Sequence, residues 1–417
     1  MVDWRKKSTL INRLGYKVEG QENKVLKLKK ALYGLKQAPR AWNSRIDKYF
    51  QANGFSKCPH EHALYVKIAK NGDILLVCLY VDDLIFTGNN PKMFEEFKEA
   101  MAREFEMTDI GLMSYYLGIQ VQQRKDGIFI SQGEYAKETL KKFEMDNCNP
   151  VSTPVECGVK ISKHGDGENV NSTFFKSLVG SLRYLTCTRP DILYGVGLVS
   201  RFMEAPTTSH LKVAKRILRY IKDTLDYGIL YSSSKDSKFV GYCDSDWAGD
   251  IDDRKSTTGF VFFLGNSAFT WNSKKQPIVT LSTCEAEYVA ACSCVCHAIW
   301  LRSLLEELHQ PQKDATKIFV DNKSAIELAK NPVFHERSKH IDTRKITWFE
   351  EAHLKFSTQR NYCYAHSYGF VRIKGISKGK GLICSDGVSS KTEAREEYKL
   401  QEKEKFFIFD FHGWLLH

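Results

Sequence analysis

The alternation of apolar and polar positions gives two α/β patterns separated by a helical one. Residues 24–30 alternate apolar and basic, which fits a strand with one basic face. Trp42, Ile46, Tyr49 and Phe50 recur at helical spacing behind Pro39, a residue suited to a helix start. Gly54 stands where a left-handed cap would end that helix. Residues 64–68 and 74–81 read as strands joined by Asn71-Gly72, a strong hairpin dipeptide, and 84–88 follow as a third. An amphipathic helix is predicted over about 91–105. Strands are predicted over 115–121 and 127–131, with Lys125-Asp126-Gly127 as their turn.

Residues 149–171 are rich in Pro, Ser, Gly and Asn and read as a linker. Residues 172–227 read as helices, with Leu211, Ala214, Ile217, Leu218, Ile221 and Leu225 on one face and Lys212, Lys215, Arg216, Arg219 and Lys222 around the rest. A second α/β pattern begins near 237. A strand ends at Asp244, a hairpin turns about Gly265-Asn266, a long helix covers 283–308, a strand ends at Asp321, and a short helix covers about 324–330. From 345 onward the periodicity deteriorates.

Composition narrows the class. Of 417 residues, 42% are hydrophobic and 27% charged, which excludes a mainly disordered or collagen-like chain. The longest uninterrupted apolar run, 74–81, is eight residues. A membrane span needs about 20, so none is expected. No apolar run behind Met1 could act as a signal peptide. An unsecreted protein, cytoplasmic or nuclear, with reduced thiols is therefore expected. The dense cluster among the twelve cysteines, Cys292-x-Cys294-x-Cys296-His297, lies within the long helix. It reads as buried small hydrophobes, with a metal or redox role as the alternative. The net charge is +11, and residues 1–48 hold 13 Lys/Arg against four Asp/Glu. So basic a segment points to a polyanion partner, nucleic acid first, or to a solvated face.

Two sets of carboxylates carry candidate chemistry. Asp82 and Asp83 directly follow the eight apolar residues and precede three more. Paired acids at the tip of a buried hairpin would be poorly hydrated and mutually repelling, a cost explained if divalent cations sit between them and a phosphate; the alternative is a solvated turn. Asp244, Glu287 and Asp321 end a strand, lie early in a helix and end a second strand. That order places three acids at one end of a sheet, as metal ligands or as surface caps.

The motifs around these acids resemble those of the copia-type retrotransposon Pol polyproteins, over about 20–344. Tyr80-Val81-Asp82-Asp83 looks like the polymerase motif of reverse transcriptases. Leu32-Tyr33-Gly34-Leu35-Lys36-Gln37-Ala38-Pro39-Arg40-Ala41-Trp42 resembles the preceding motif, whose helix lies beneath the incoming nucleotide and template base. Tyr116-Leu117-Gly118-Ile119 resembles the primer-grip hairpin. The segments Asp244 to Asp250, Trp271-Asn272-Ser273-Lys274-Lys275-Gln276, Ser282 to Tyr288 and Asp321 to Ala325 resemble the family's ribonuclease H domain.

The resemblance implies an α/β (α+β) chain. A truncated reverse transcriptase palm is expected over 1–148, a thumb and connection with linker over 149–235, a ribonuclease H-like domain over 236–344 and a divergent tail over 345–417. It also implies two Mg²⁺ or Mn²⁺ ions per site, held by Asp82 and Asp83 in one centre and by Asp244, Glu287 and Asp321 in the other, with Glu285 and Asp246 as nearby alternatives. Tyr80, Gly34, Lys36, Gln37, Arg40, Lys274 and Lys275 become candidate nucleic-acid or nucleotide contacts. The partner would be an RNA–DNA hybrid or primer–template, with no membrane.

Departures from the family pattern temper those expectations. The family's polymerase site has a further Asp in an upstream segment, whereas the acids before Gly34 are Asp3, Glu19 and Glu22, in other contexts. The fingers and first palm strand are expected to be missing, and the chain to be defective as a polymerase. After Arg344 the match stops. The fourth ribonuclease H acid is not found, since Asp386 and Asp410 lack its context, and 406–409 and 414–416 read as an apolar tail. The alternatives are a non-catalytic remnant that binds nucleic acid, or a subunit completed by another chain.

Overall fold

The computed structural model describes residues 35–233 and 238–330, together with the backbone of four short strands outside them. Two of these, β1 (Thr9–Leu10) and β2 (Leu26–Lys27), pair antiparallel; the rest of the alternating 24–30 segment, and Gly34, lie outside the described residues. Contacts divide the chain into two compact units, one holding the described residues up to Asp109 and the other those from Ile110.

In the first unit, α1 (Ala38–Ala52) and α2 (Pro91–Phe105) share a core with the antiparallel sheet β3 (Ser56–Lys57), β4 (Leu64–Ile68), β5 (Ile74–Tyr80) and β6 (Asp83–Gly88), hydrogen-bonded in that order. α1 forms because its apolar residues recur on one face, where Ile46 and Phe50 are fully buried. It ends at Asn53, after which Gly54 takes φ +81°, the left-handed conformation a glycine adopts without steric cost. Alternate residues of β5, Leu75, Val77 and Leu79, enter this core. Asn90 caps α2 by accepting from the Lys92 N–H at 2.9 Å, and Pro91 supplies the fixed φ of a first turn.

The second unit begins with β7 (Tyr115–Tyr116), β8 (Ile119–Arg124) and β9 (Gly127–Ser131), an antiparallel meander with a turn at Leu117-Gly118. Helices α3 (Gly133–Lys142), α4 (Ser172–Leu185), α5 (Leu193–Val199) and α6 (Thr208–Asp223) then pack around one core. The next strand, β10 (Tyr227–Ser232), returns to pair with β9. α3 and β10 have no counterpart in the sequence reading. A buried ion pair pins the helices: Arg189 Nη2 lies 2.7 Å from Asp191 Oδ2, Arg189 Nη1 donates to Thr224 O, and Tyr220 donates to the same carboxylate oxygen.

The same unit contains β11 (Phe239–Ser245), β12 (Thr257–Leu264) and β13 (Ser267–Lys275), an antiparallel set covered by α7 (Thr283–Glu307). β14 (Thr316–Phe319) pairs parallel to β11 and leads into α8 (Lys323–Lys330). β15 (Leu354–Ser357) pairs parallel to β14 and completes the order β13-β12-β11-β14-β15, while β16 (Ile376–Lys378) pairs with β10. Two strands thus form within the tail whose periodicity deteriorates. The candidate tail residues 406–409, 414–416, Asp386 and Asp410 lie outside the described residues.

α7 is long and apolar enough to cross a membrane by length and composition, which the count of uninterrupted apolar residues overlooks. Of that stretch 61% is buried, with Ala291, Cys294, Val295, Ala298 and Leu301 against Phe239, Phe262 and Ile318 of the sheet. Cys292 is buried beside Tyr288 and Ala325 instead, and Cys296 is half-buried.

Candidate metal centre

The first unit presents Asp82 and Asp83 on the β5–β6 hairpin. Tyr80 faces Asp83 in register, so Val81-Asp82 is a two-residue turn, and Val81 adopts φ +51°. A β-branched residue is strained in that conformation. The turn is held from outside: the Trp42 indole N–H on α1 donates to the Val81 carbonyl. The expected burial of the hairpin tip is corrected here. Val81, Asp82 and Asp83 are all exposed, beyond Leu79, the last buried residue of the apolar run. Among the described residues no group of three ligand-type side chains includes them. Tyr80 is half-buried, Lys36 and Arg40 are exposed around the start of α1, and Gln37 is its N-cap residue.

The second unit brings three predicted acids together. Asp244 stands near the end of β11, Glu287 in the second turn of α7, and Asp321 just after β14. β14 lies parallel beside β11, which puts both strand ends on one edge, and α7 crosses over that edge. One carboxylate oxygen from each residue lies within 4.8 Å of the others. Asp244 and Glu287 are buried at 7% and 5% exposure, and Asp321 is exposed, so the cluster opens to solvent on one side.

The local hydrogen bonding joins the buried pair. The Ser245 backbone N–H donates to Asp244 Oδ1 at 2.8 Å and to Glu287 Oε1 at 3.0 Å, while no donor reaches the buried Glu287 Oε2. Burial first, then the charges of Asp244 and Asp321, push the Glu287 carboxyl up to about 9, against the opposing pull of the Ser245 N–H. Three acids facing one another around an orphaned carboxylate oxygen form an oxygen-only donor set of the kind hard divalent cations take. The residues therefore fit Mg²⁺ or Mn²⁺.

The two alternative acids are engaged elsewhere. Glu285 Oε2 accepts from Leu281 N–H at 2.8 Å ahead of α7, and Asp246 Oδ1 accepts from the Thr257 N–H. Lys275, a candidate phosphate contact, pairs with Asp250 at 2.6 Å and Asp253 at 2.8 Å, which neutralises its charge; Lys274, on the other face of β13, is exposed. Asp250 also pairs with Arg201 at 3.2 Å. On α6, Arg216 donates to Thr153 Oγ1, Arg219 to Asn149 O and Lys222 to Cys148 O. Two of the five basic residues of that helix thus hold the linker, and a third holds the residue before it. Gln276 and Ser245 escaped the sequence reading, although both stand inside the quoted motifs.

A family model for reverse transcriptase (RNA-dependent DNA polymerase) matches residues 7–157. The chain is 38% identical over 363 residues to a retrovirus-related Pol polyprotein from transposon TNT 1-94 of Nicotiana tabacum, covering 83% of this chain and 27% of that protein. It is 38% identical over 327 residues to the corresponding polyprotein from transposon RE1 of Arabidopsis thaliana, 78% of this chain and 22% of that one. A putative transposon Ty5-1 protein of Saccharomyces cerevisiae is 32% identical over 280 residues, 66% of this chain and 91% of that protein. The chain spans about a quarter of the length of the two plant polyproteins.

Proposed function

Since the chain belongs to the family of retrotransposon Pol polyproteins and carries a reverse transcriptase domain, we propose that its three-carboxylate centre is a ribonuclease H site acting on the RNA strand of an RNA–DNA hybrid. The observation that carries this reading is the meeting of Asp244, Glu287 and Asp321 within 4.8 Å from three separate elements. The β13-β12-β11-β14-β15 sheet with α7 across it supports a ribonuclease H-like domain.

Asp244, Glu287 and Asp321 would hold Mg²⁺ or Mn²⁺. Divalent cations bound there supply activation of water and neutralisation of charge at the scissile phosphate. Asp244 and Glu287, fixed through the Ser245 N–H, form the rigid wall of the site. Asp321, exposed, forms the side on which substrate enters. Burial and the neighbouring Asp244 and Asp321 charges raise the Glu287 carboxyl, so cation binding at this centre would be coupled to proton release from it. Lys274 is the basic side chain of the β13 end left to meet a phosphate.

In the reverse transcriptase part, Asp82 and Asp83 are the polymerase acids. No third acid joins them among the described residues, so this chain alone should not extend a primer. The test is cleavage of end-labelled RNA in a hybrid, with Mg²⁺ and then Mn²⁺, beside Asp244→Asn. Cleavage lost in that variant supports the reading. Hybrid binding with no cleavage under either metal replaces it with a non-catalytic nucleic-acid-binding remnant.

A further inference from the structure

We propose that Gln276 is a positioning residue for the three-carboxylate centre, tying the residue after Asp244 to the residue before Glu287; this rests on the ribonuclease H reading of that site. Gln276 follows the last residue of β13 and is 3% exposed. Its backbone N–H donates to Ser256 O at 2.8 Å, which fixes its Cα against the start of β12. Its side-chain Nε2 reaches three oxygens: Ala286 O at 2.9 Å, Thr258 Oγ1 at 3.0 Å and Ser245 Oγ at 3.1 Å. A carbonyl oxygen can only accept, so Ala286 sets which end of the amide points inward.

The connections then run straight to the acids. Ser245 is the residue whose N–H holds both Asp244 and Glu287, and Ala286 precedes Glu287 on α7. One amide nitrogen therefore spans the strand that carries one acid and the helix that carries another. The spacing between those carboxylates is what a shared cation must match.

The cost of this arrangement argues for position over stability. Gln276 Oε1 is buried with no partner. An unmet buried acceptor is destabilising, because it gives up its hydration without a protein partner in return. Its neighbours do not depend on the glutamine alone: Ser245 Oγ also lies 2.9 Å from Asp246 O. An apolar side chain of equal length removes the orphaned oxygen together with the three contacts, so the fold should tolerate it while the carboxylate spacing should not.

The experiment titrates Mn²⁺ into the metal-free full chain by calorimetry and records apo melting temperatures, for wild type, Gln276→Met and Asp244→Asn. Partners that orient metal ligands from behind are typically worth roughly 10–100-fold in affinity. Gln276→Met should weaken Mn²⁺ binding at least about 10-fold with little change in apo melting temperature. A lowered melting temperature with wild-type affinity would mean a merely structural role and overturn the proposal. Wild-type protein that binds Mn²⁺ no better than Asp244→Asn would overturn the underlying reading as well, which separates the two failures. Should Gln276→Met lack native near-UV circular dichroism, Thr258→Val, which releases one anchor of the amide, carries the test. A several-fold loss of affinity is then expected, and unchanged affinity would overturn the proposal.

Discussion

Trp42 and Val81 are 39 positions apart, yet the indole of one donates to the main-chain oxygen of the other. The contact joins the two motifs of the reverse transcriptase domain: the helix that begins at Ala38 steadies the turn that presents Asp82 and Asp83. It acts on a strained residue, since Val81 sits at positive φ. Trp42→Phe keeps a ring against Phe105, 5.2 Å away between centroids, and removes the donor. A hydrogen bond of this kind contributes about 1 kcal/mol. Urea unfolding of the variant should show that loss; an unchanged midpoint would mean the turn holds its shape unaided.

The Arg189–Asp191 pair predicts a much larger effect. Both side chains are at most 4% exposed, and the arginine also serves Thr224. Asp191→Ala strands a guanidinium among α4, α5 and α6, and breaking such a pair from one side costs about 3–5 kcal/mol. Circular dichroism melting of the variant should show it, and a loss under about 1 kcal/mol would mean water reaches Arg189.

Glu287 sets a pH dependence whose sign is fixed. Its carboxyl is raised from 4.5 to about 9 by burial and by Asp244 and Asp321. The folded state therefore binds this proton more tightly than the unfolded chain does. The stability it contributes is full below pH 4.5, falls as pH rises, and is lost by about pH 9. Glu287→Gln keeps the shape without the charge. In EDTA, wild type and variant should melt alike near pH 4.5. At pH 9 the variant should be the more stable, by several kcal/mol. A difference that stays flat across this range would contradict the assignment.

Nucleic-acid binding should divide the basic residues of α6 into two groups. Arg216, Arg219 and Lys222 donate to residues 148–153, whereas Lys212 is exposed and Lys215 half-buried on the same helix. Lys212→Gln with Lys215→Gln should lower the slope of log affinity against log salt by about one per lysine that meets a phosphate. Arg219→Ala should instead loosen residues 148–153, visible as faster amide exchange there. Equal salt slopes in wild type and the double variant would remove α6 from the binding surface.

What the sequence made legible follows from where the information lies. α1, α2 and β4–β6 were readable because their apolar spacing is strong and Pro39, Gly54, Asn71-Gly72 and Pro91 mark their ends. β10 has no counterpart because the reading of 172–227 as helices stops just before Gly228 and gives that residue no role. In the structure a Cβ there would stand 2.2 Å from Ile130 O, so the glycine permits close pairing with β9. α3 was missed because it opens on Gly133 and is short and polar. Asp244, Glu287 and Asp321 could be placed from the ends of their elements. The neutralisation of Lys275 could not, because Asp250 and Asp253 reach it through a turn more than 20 residues away. The outward exposure of Asp82 and Asp83 depends equally on what surrounds the hairpin, which the apolar run alone does not encode.

The Ser245 amide proton touches two carboxylates at once. Its resonance in a ¹⁵N-correlated spectrum is therefore a single reporter for the whole centre. Loss of the proton from Glu287 should move that peak along one path. Cation entry, which redirects the same oxygens, should move it along another. A titration followed at this one nitrogen can thus tell an ionising site from a filling one without any substrate.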